Sequence, residues 1–270
     1  MKVRRFALRA ATVGMALSFA LSGASIALAE TQPTVRANGV VYTYPGATVG
    51  TSTAAVRAWV SGPLTRAVNV TVLNATRTPN TKKRRIDFTA ARTGVTLDVD
   101  GSISKIEAAI AETSTLGARP VNLDCSTTAP AVTGFGKTIL VVLKQRKIYL
   151  YNNTRVMKKY PCAIGMPRYP TPTGTFTISR KVKNPDWTNP GGAWGKGMPR
   201  YIKPGPGNPL GTRALYLYRG GHDTGIRFHG TSNTGSIGHA ASHGCMRMKR
   251  KDVEKFYTLV PVGTTVFIVK

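Results

Sequence analysis

Downstream of Gly136 the apolar residues come in short runs at strand spacing, each closed by a turn, and this pattern constrains the fold more than any other feature of the chain. Thr138–Leu143 is a continuous apolar run. Lys147–Tyr151 alternates, with Lys144-Gln145-Arg146 between the two as a hairpin turn. Val156–Ile164, Gly174–Val182, Arg213–Tyr218, Gly225–Phe228 and Thr264–Val269 read as further strands. One segment has helical spacing, Lys251–Leu259, with Val253, Phe256, Tyr257 and Val260 on its apolar face. With 28 Gly and 17 Pro to supply turns, such a chain folds as mainly β. Asn184–Gly211 is Gly/Pro/Trp-rich and too long for a simple connector. Its Trp187, Trp194 and Tyr201 offer apolar faces, and the expectation is a loop that covers a cleft.

A Thr/Ala/Pro-rich stretch, Ser126–Gly136, marks a boundary. Before it the pattern is that of a small α+β N-terminal domain, residues 51–130. Thr53–Leu64 reads as a helix ended by Gly62-Pro63, and Ala67–Leu73 as a strand with Val68, Val70 and Val72 on one face. Arg85–Phe88, Val95–Val99 and Arg119–Leu123 read as short strands. Ser104-Lys105-Ile106-Glu107 is a capping-box pattern that opens a helix to about Ser114. Residues 30–50 show no period and read as a linker. Residues 1–29 have a basic start (Lys2, Arg4, Arg5, Arg9), an apolar run from Ala10 to Leu28 and the small-x-small Ala27-Leu28-Ala29, the composition of a signal peptide. The expectation is export, to the cell wall or the periplasmic space. The alternative is an uncleaved anchor, since the run nears the length that spans a bilayer.

Charge is uneven. Residues 136–270 hold 23 basic and 4 acidic residues, a formal +19, while residues 30–135 hold 11 and 7. So basic a domain is drawn to polyanions. For an exported protein these are anionic cell-wall polymers rather than nucleic acid, and the bland reading is a solubility device. The run Lys82-Lys83-Arg84-Arg85 reads as a solvated loop.

All four histidines fall between His222 and His243, and Cys245 follows at once. A thiol attacks a carbonyl as the thiolate and needs a base or cation beside it. Ser242-His243-Gly244-Cys245-Met246-Arg247 places a histidine and a glycine next to the cysteine, the glycine freeing the backbone for a tight turn that aims amides at an oxyanion. His229-Gly230-Thr231 adds a second histidine, and Arg247 offers a bidentate fork for a carboxylate. These are the parts of acyl transfer through a thioester. A zinc site is the rival for four histidines and a cysteine, but neither His-Glu-x-x-His nor Cys-x-x-Cys occurs.

His229-Gly230-Thr231, Ser236-Ile237-Gly238 and Ser242–Arg247 resemble the signature of the L,D-transpeptidase (YkuD-type) catalytic domain. Ile164-Gly165, Thr171–Ile178 and Asn208–Gly211 extend the likeness over residues 136–270. Arg84–Thr133 more weakly resembles a peptidoglycan-binding domain. The resemblance implies a sandwich-like β domain with the cysteine loop at one edge. In it Cys245 is the nucleophile, His229 the general base, and His243 a supporting residue. The amides of Gly244 and Cys245 form the oxyanion hole, with Ser242, Gly230, Thr231 and Arg247 around the substrate. Arg247 stands where some members carry Asn, so its reading divides between substrate binding and local structure. His222 and His239 match no motif position and read as surface residues. The implied reaction opens the bond between the diamino acid and terminal D-Ala of a stem tetrapeptide and rejoins the acyl group to a neighbouring stem as a 3→3 cross-link. It needs no cofactor and no metal, takes peptidoglycan stem peptides as partners, and implies a monomer that is the target of carbapenems. Resolution by water would make an L,D-carboxypeptidase, and a silent site would leave a wall-binding protein. In an oxidising compartment the two spare thiols, Cys125 and Cys162, are expected to pair across the hinge and leave Cys245 free.

Overall fold

The structure is a computed structural model and describes residues 34–46, 50–112, 120–191 and 195–270. The expected signal segment lies outside the described residues. Among those described, no helix is long and apolar enough to cross a membrane.

The segment expected as a linker is instead a hairpin. β1 (Thr34–Ala37) and β2 (Val40–Thr43) pair antiparallel across Asn38-Gly39, whose φ values are 49° and 76°. Asn-Gly is the sequence that such a two-residue turn demands. Val35, Ala37 and Tyr44 are buried and make this hairpin part of the N-terminal core. α1 (Thr53–Trp59) starts at Ser52, whose hydroxyl accepts from the Ala55 amide at 3.2 Å. Gly62-Pro63 does not end it. The chain continues through a π-helical turn, Val60–Leu64, that accommodates Pro63, and then through α2 (Thr65–Val68). The strand expected over Ala67–Leu73 is therefore absent: Val68 ends a helix, and only isolated bridges join Val70 to Val95 and Leu73 to Arg92.

β3 (Thr76–Asn80) and β4 (Arg85–Thr89) form a hairpin whose turn carries the Lys82–Arg85 run. After β5 (Gly94–Leu97) comes α3 (Val99–Ala111), capped by Asp98, which accepts from the Gly101 amide at 3.1 Å. The cap is thus Asp98 rather than Ser104, which lies within the helix. β6 (Val121–Asn122) pairs with β1 and β7 (Cys125–Thr128) with β5. Val56, Val60, Leu64, Ile103 and Ile106 fill the core between these strands and helices.

The C-terminal half holds β8 (Lys137–Val142), β9 (Lys147–Asn152), β10 (Arg155–Pro161), β11 (Ile164–Gly165), β12 (Gly174–Lys183), β13 (Trp187–Thr188), β14 (Tyr201–Ile202), β15 (Arg213–Arg219), β16 (His222–Thr231), β17 (Ala240–Ser242), β18 (Met246–Lys249), α4 (Arg250–Leu259) and β19 (Thr265–Val269). Eight of the strands form one sheet in the order β10-β9-β8-β19-β12-β15-β16-β18. Bulges in β10, β12 and β16 increase its coil. The sheet curls until its ends meet: Ala163, just past β10, exchanges two backbone hydrogen bonds with Arg247 on β18, at 2.9 and 3.0 Å. Phe256 of α4 touches Tyr160 of β10 and Phe228 of β16, with ring centroids 5.5 and 5.2 Å away. The result is the expected mainly β, sandwich-like body with a small α+β domain ahead of it. On the sheet's other face Ile86 of β4 packs against Leu140, Val142, Tyr151, Phe267 and Val269, and Arg77 of β3 donates to the hydroxyls of Thr138 and Thr265, each at 2.7 Å.

The expected Cys125–Cys162 disulfide is not formed, and Cys125, Cys162 and Cys245 are all free. Cys125 packs against the N-terminal core, whereas Cys162 points into the apolar interior between the curled sheet ends. Burial pushes the Cys162 thiol up to about 12, so it is an inert space-filler.

Candidate active site

β16 and β18 run parallel, with Phe228 opposite Met246 and His229 opposite Arg247. Carrying the register back by one residue sets Cys245 beside Arg227. Phe228, Met246 and Met248 point into the core, so strand alternation places Arg227, His229, Cys245 and Arg247 together on the opposite face. The row extends across the sheet, since Arg180 of β12 and Arg227 of β16 both pair with Tyr216 of β15. Cysteine and histidine, sixteen positions apart in sequence, thus become diagonal neighbours across two strands.

His229 is buried, and its Nδ1 lies 2.7 Å from the carbonyl of Gly230. A carbonyl only accepts, so Nδ1 carries the proton and Nε2 keeps a lone pair. The Pro209 carbonyl is also within hydrogen-bond reach of the ring. Burial, aided by Arg247 and Arg227, pushes the imidazole down to about 4, so it is neutral at pH 7. Cys245 is partly exposed, and its Sγ donates to the Gly225 carbonyl at 3.6 Å. Burial holds this thiol above its ordinary range, and Arg227 and Arg247 pull it only part of the way back.

The loop ahead of Cys245 is pinned from both sides. Ser242 Oγ donates to the Cys245 carbonyl at 2.6 Å and accepts from the Gly244 amide at 3.2 Å. Thr171 Oγ1 accepts from the Gly165 amide at 2.8 Å and donates to the Gly244 carbonyl at 2.7 Å. Gly244 has φ +109°, and a Cβ there would press on Ile226 Cδ1 at 3.0 Å, so glycine is required at this turn.

The other expected site residues are placed as follows. The Gly244 amide, expected in an oxyanion hole, donates to Ser242 Oγ. Ser242 is buried with its hydroxyl spent on the loop, Gly230 gives its amide to the Leu210 carbonyl at 3.1 Å, and buried Thr231 accepts from the Asn233 amide at 3.1 Å. All three are engaged in hydrogen bonds within the site. His243 is exposed and lies against Tyr169, centroids 4.8 Å apart. Arg247 lies on the cleft face, and its backbone closes the sheet against Ala163. His222 and His239 are both exposed. Of the long loop, Trp187 is buried and Tyr201 exposed, while Trp194 lies outside the described residues. The loop ends at the site: Asn208 Nδ2 donates to the carbonyls of Pro185 and Ile202 at 2.9 and 3.1 Å, and Pro209 and Leu210 then meet His229 and Gly230. Sequence reasoning missed Arg227 and Thr171. Arg227 could have been found from its place two residues before His229 on the same strand face, but nothing in the sequence marks Thr171 as a bolt for Gly244.

A curled, mainly β sheet thus presents a cysteine, a neutral histidine and two arginines on one face. The family model of the L,D-transpeptidase catalytic domain, YkuD, matches residues 136–268. YkuD of Bacillus subtilis is 38% identical over 130 residues, covering 48% of this chain and 64% of that protein. YqjB of the same organism is 30% identical over 132 residues, covering 48% of this chain and 69% of its own length. Both carry L,D-transpeptidase in their names, and this chain belongs to the L,D-transpeptidase family. It spans less than half, 44%, of the Escherichia coli family protein ErfK/SrfK, at 30% identity. The crystal structure of an Enterococcus faecium L,D-transpeptidase C442S mutant is similar with a TM-score of 0.44 and 20% identity, over 89% of this chain and 96% of that one.

Proposed function

We propose that this protein is an exported cysteine L,D-transpeptidase that forms 3→3 cross-links between peptidoglycan stem peptides, with residues 1–29 as its export signal. The observation that supports this most is the placement of Cys245, His229, Arg227 and Arg247 on one face of two parallel strands. The Cys245 thiolate attacks the carbonyl of the diamino acid, forming a C–S bond. The intermediate collapses, the C–N bond to D-Ala breaks, and a proton relayed through His229 Nε2 goes to the leaving nitrogen. An amine on a neighbouring stem then attacks the thioester and releases the thiol. The Gly230 carbonyl holds the imidazole in the tautomer this relay needs. Arg247 is placed to meet a substrate carboxylate. The formal +19 of residues 136–270 favours residence among anionic wall polymers.

The test is mass spectrometry of the purified protein incubated with a disaccharide-tetrapeptide. The expected products are free D-Ala and a cross-linked dimer, both absent with Cys245→Ala. A tripeptide without dimer would make the protein a carboxypeptidase, and unchanged substrate would overturn the reading.

A further inference from the structure

We infer that Arg227 is the cation that stabilises the Cys245 thiolate, so that a guanidinium, not an imidazolium, is the charge partner of the nucleophile. The inference rests on the reading of Cys245 as the nucleophile. Thiol and guanidinium meet on one acceptor: Cys245 Sγ donates to the Gly225 carbonyl at 3.6 Å, and Arg227 Nη1 donates to the same oxygen. The guanidinium is also within hydrogen-bond reach of Sγ. Its position is fixed from other sides, by Asp223 Oδ2 at 3.5 Å from Nη2 and by the Tyr216 ring, whose centroid is 4.5 Å from Cζ. Tyr216 also carries Arg180, at 3.8 Å, so the ring is flanked by two cations from the neighbouring strands. An arginine held this way has little freedom left to lose when the thiol ionises.

The other charged and titratable groups around the thiol leave it no better partner. β16 contributes Asp223, already paired to Arg227, and His229. β18 contributes Arg247, which lies opposite His229 and one row away from the cysteine. The Cys245 loop contributes His243, backed by Tyr169, whose ring in turn carries Arg168 at 5.7 Å. His229 is buried between two arginines, an environment that disfavours a second positive charge. It accepts the thiol proton at Nε2 and, as a weak base, passes it to solvent. The S–H bond breaks, the electron pair stays on sulfur, and the anion is left beside a fixed cation.

The experiment follows alkylation of Cys245 by iodoacetamide in the native protein from about pH 5 to 10, read by mass spectrometry of the Cys245 peptide so that Cys125 and Cys162 do not contribute. Replacing a cation beside an ionisable group shifts its pKa by about 1–3 units. Arg227→Gln is expected to raise the inflection by at least about 1 unit, Arg227→Lys to keep most of the wild-type position, and His229→Asn to leave it in place. Arg227→Met, which keeps packing against Tyr216, serves if the Gln variant lacks a cooperative melt. An inflection unmoved by loss of the charge, moved equally by Lys, or moved by His229→Asn instead would overturn the inference. Alkylation needs no substrate, so the two readings fail separately. Turnover with an Arg227-independent inflection rejects only the charge partner, and an Arg227-dependent inflection without turnover rejects only the transpeptidase.

Discussion

At the residue scale the site sets burial against charge. Burial alone would leave Cys245 protonated and inert, as it leaves Cys162, and two arginines on the same face oppose it. His229 feels the same burial and the same arginines, but for a cationic acid both push its pKa down. The sign of the consequence follows from linkage. Between about pH 6.5 and about 4 the unfolded chain binds a proton at His229 and the folded chain does not, so stability falls as pH falls through that window. The whole shift corresponds to roughly 3 kcal/mol. Urea titrations at pH 7 and near pH 4.5 should show this loss, and His229→Asn should remove it; an equal loss in the variant would place the effect elsewhere. Cys245 and His229 stand out in the sequence as rare residues in a dense motif, and the structure brings them to one face of neighbouring strands. The role of Thr171 was not legible there, nor was the meeting of Arg227 with Cys245, because both depend on which strand lies beside which, and one sequence does not state that. Ser242 and Thr231 were legible as motif members, but not as buried groups whose hydroxyls serve the backbone.

At the element scale the strands of the C-terminal half were readable from alternation, and the N-terminal elements less so. Asn38-Gly39 is a strong hairpin signal, but the short strands around it have too little period to rise above a linker reading. Pro63 was read as a stop, yet a π-helical turn accommodates it and lets Leu64 reach the core. The C-terminal end of the long loop is held by Asn208. Asn208→Ala would take a donor from the Pro185 and Ile202 carbonyls and an acceptor from the Leu210 amide, at a cost of about 1–3 kcal/mol. Because Leu210 accepts from Gly230, turnover should fall further than the melting temperature alone accounts for. Paired melts and rates would check this, and a stable, fully active variant would show that the loop is idle.

At the scale of the whole molecule, the β3–β4 hairpin covers an apolar patch on the outer face of the large sheet, through Ile86 and Arg77. Ile86→Ala should cost about 2–4 kcal/mol and be felt by the C-terminal half as well as the hairpin; a melt identical to wild type would mean that the patch needs no cover. The expected interdomain disulfide failed for a reason that the sequence does not carry: Cys162 is drawn into the closure between β10 and β18 and away from Cys125. The proposed function turns on one event, acylation of Cys245. The most direct test is intact-protein mass spectrometry after rapid acid quench of the protein mixed with a tetrapeptide stem. A mass gain equal to the tripeptide acyl group, mapped to the Cys245 peptide and absent in Cys245→Ala, is the predicted result. An adduct on another residue, or one that survives in Cys245→Ala, would contradict the account.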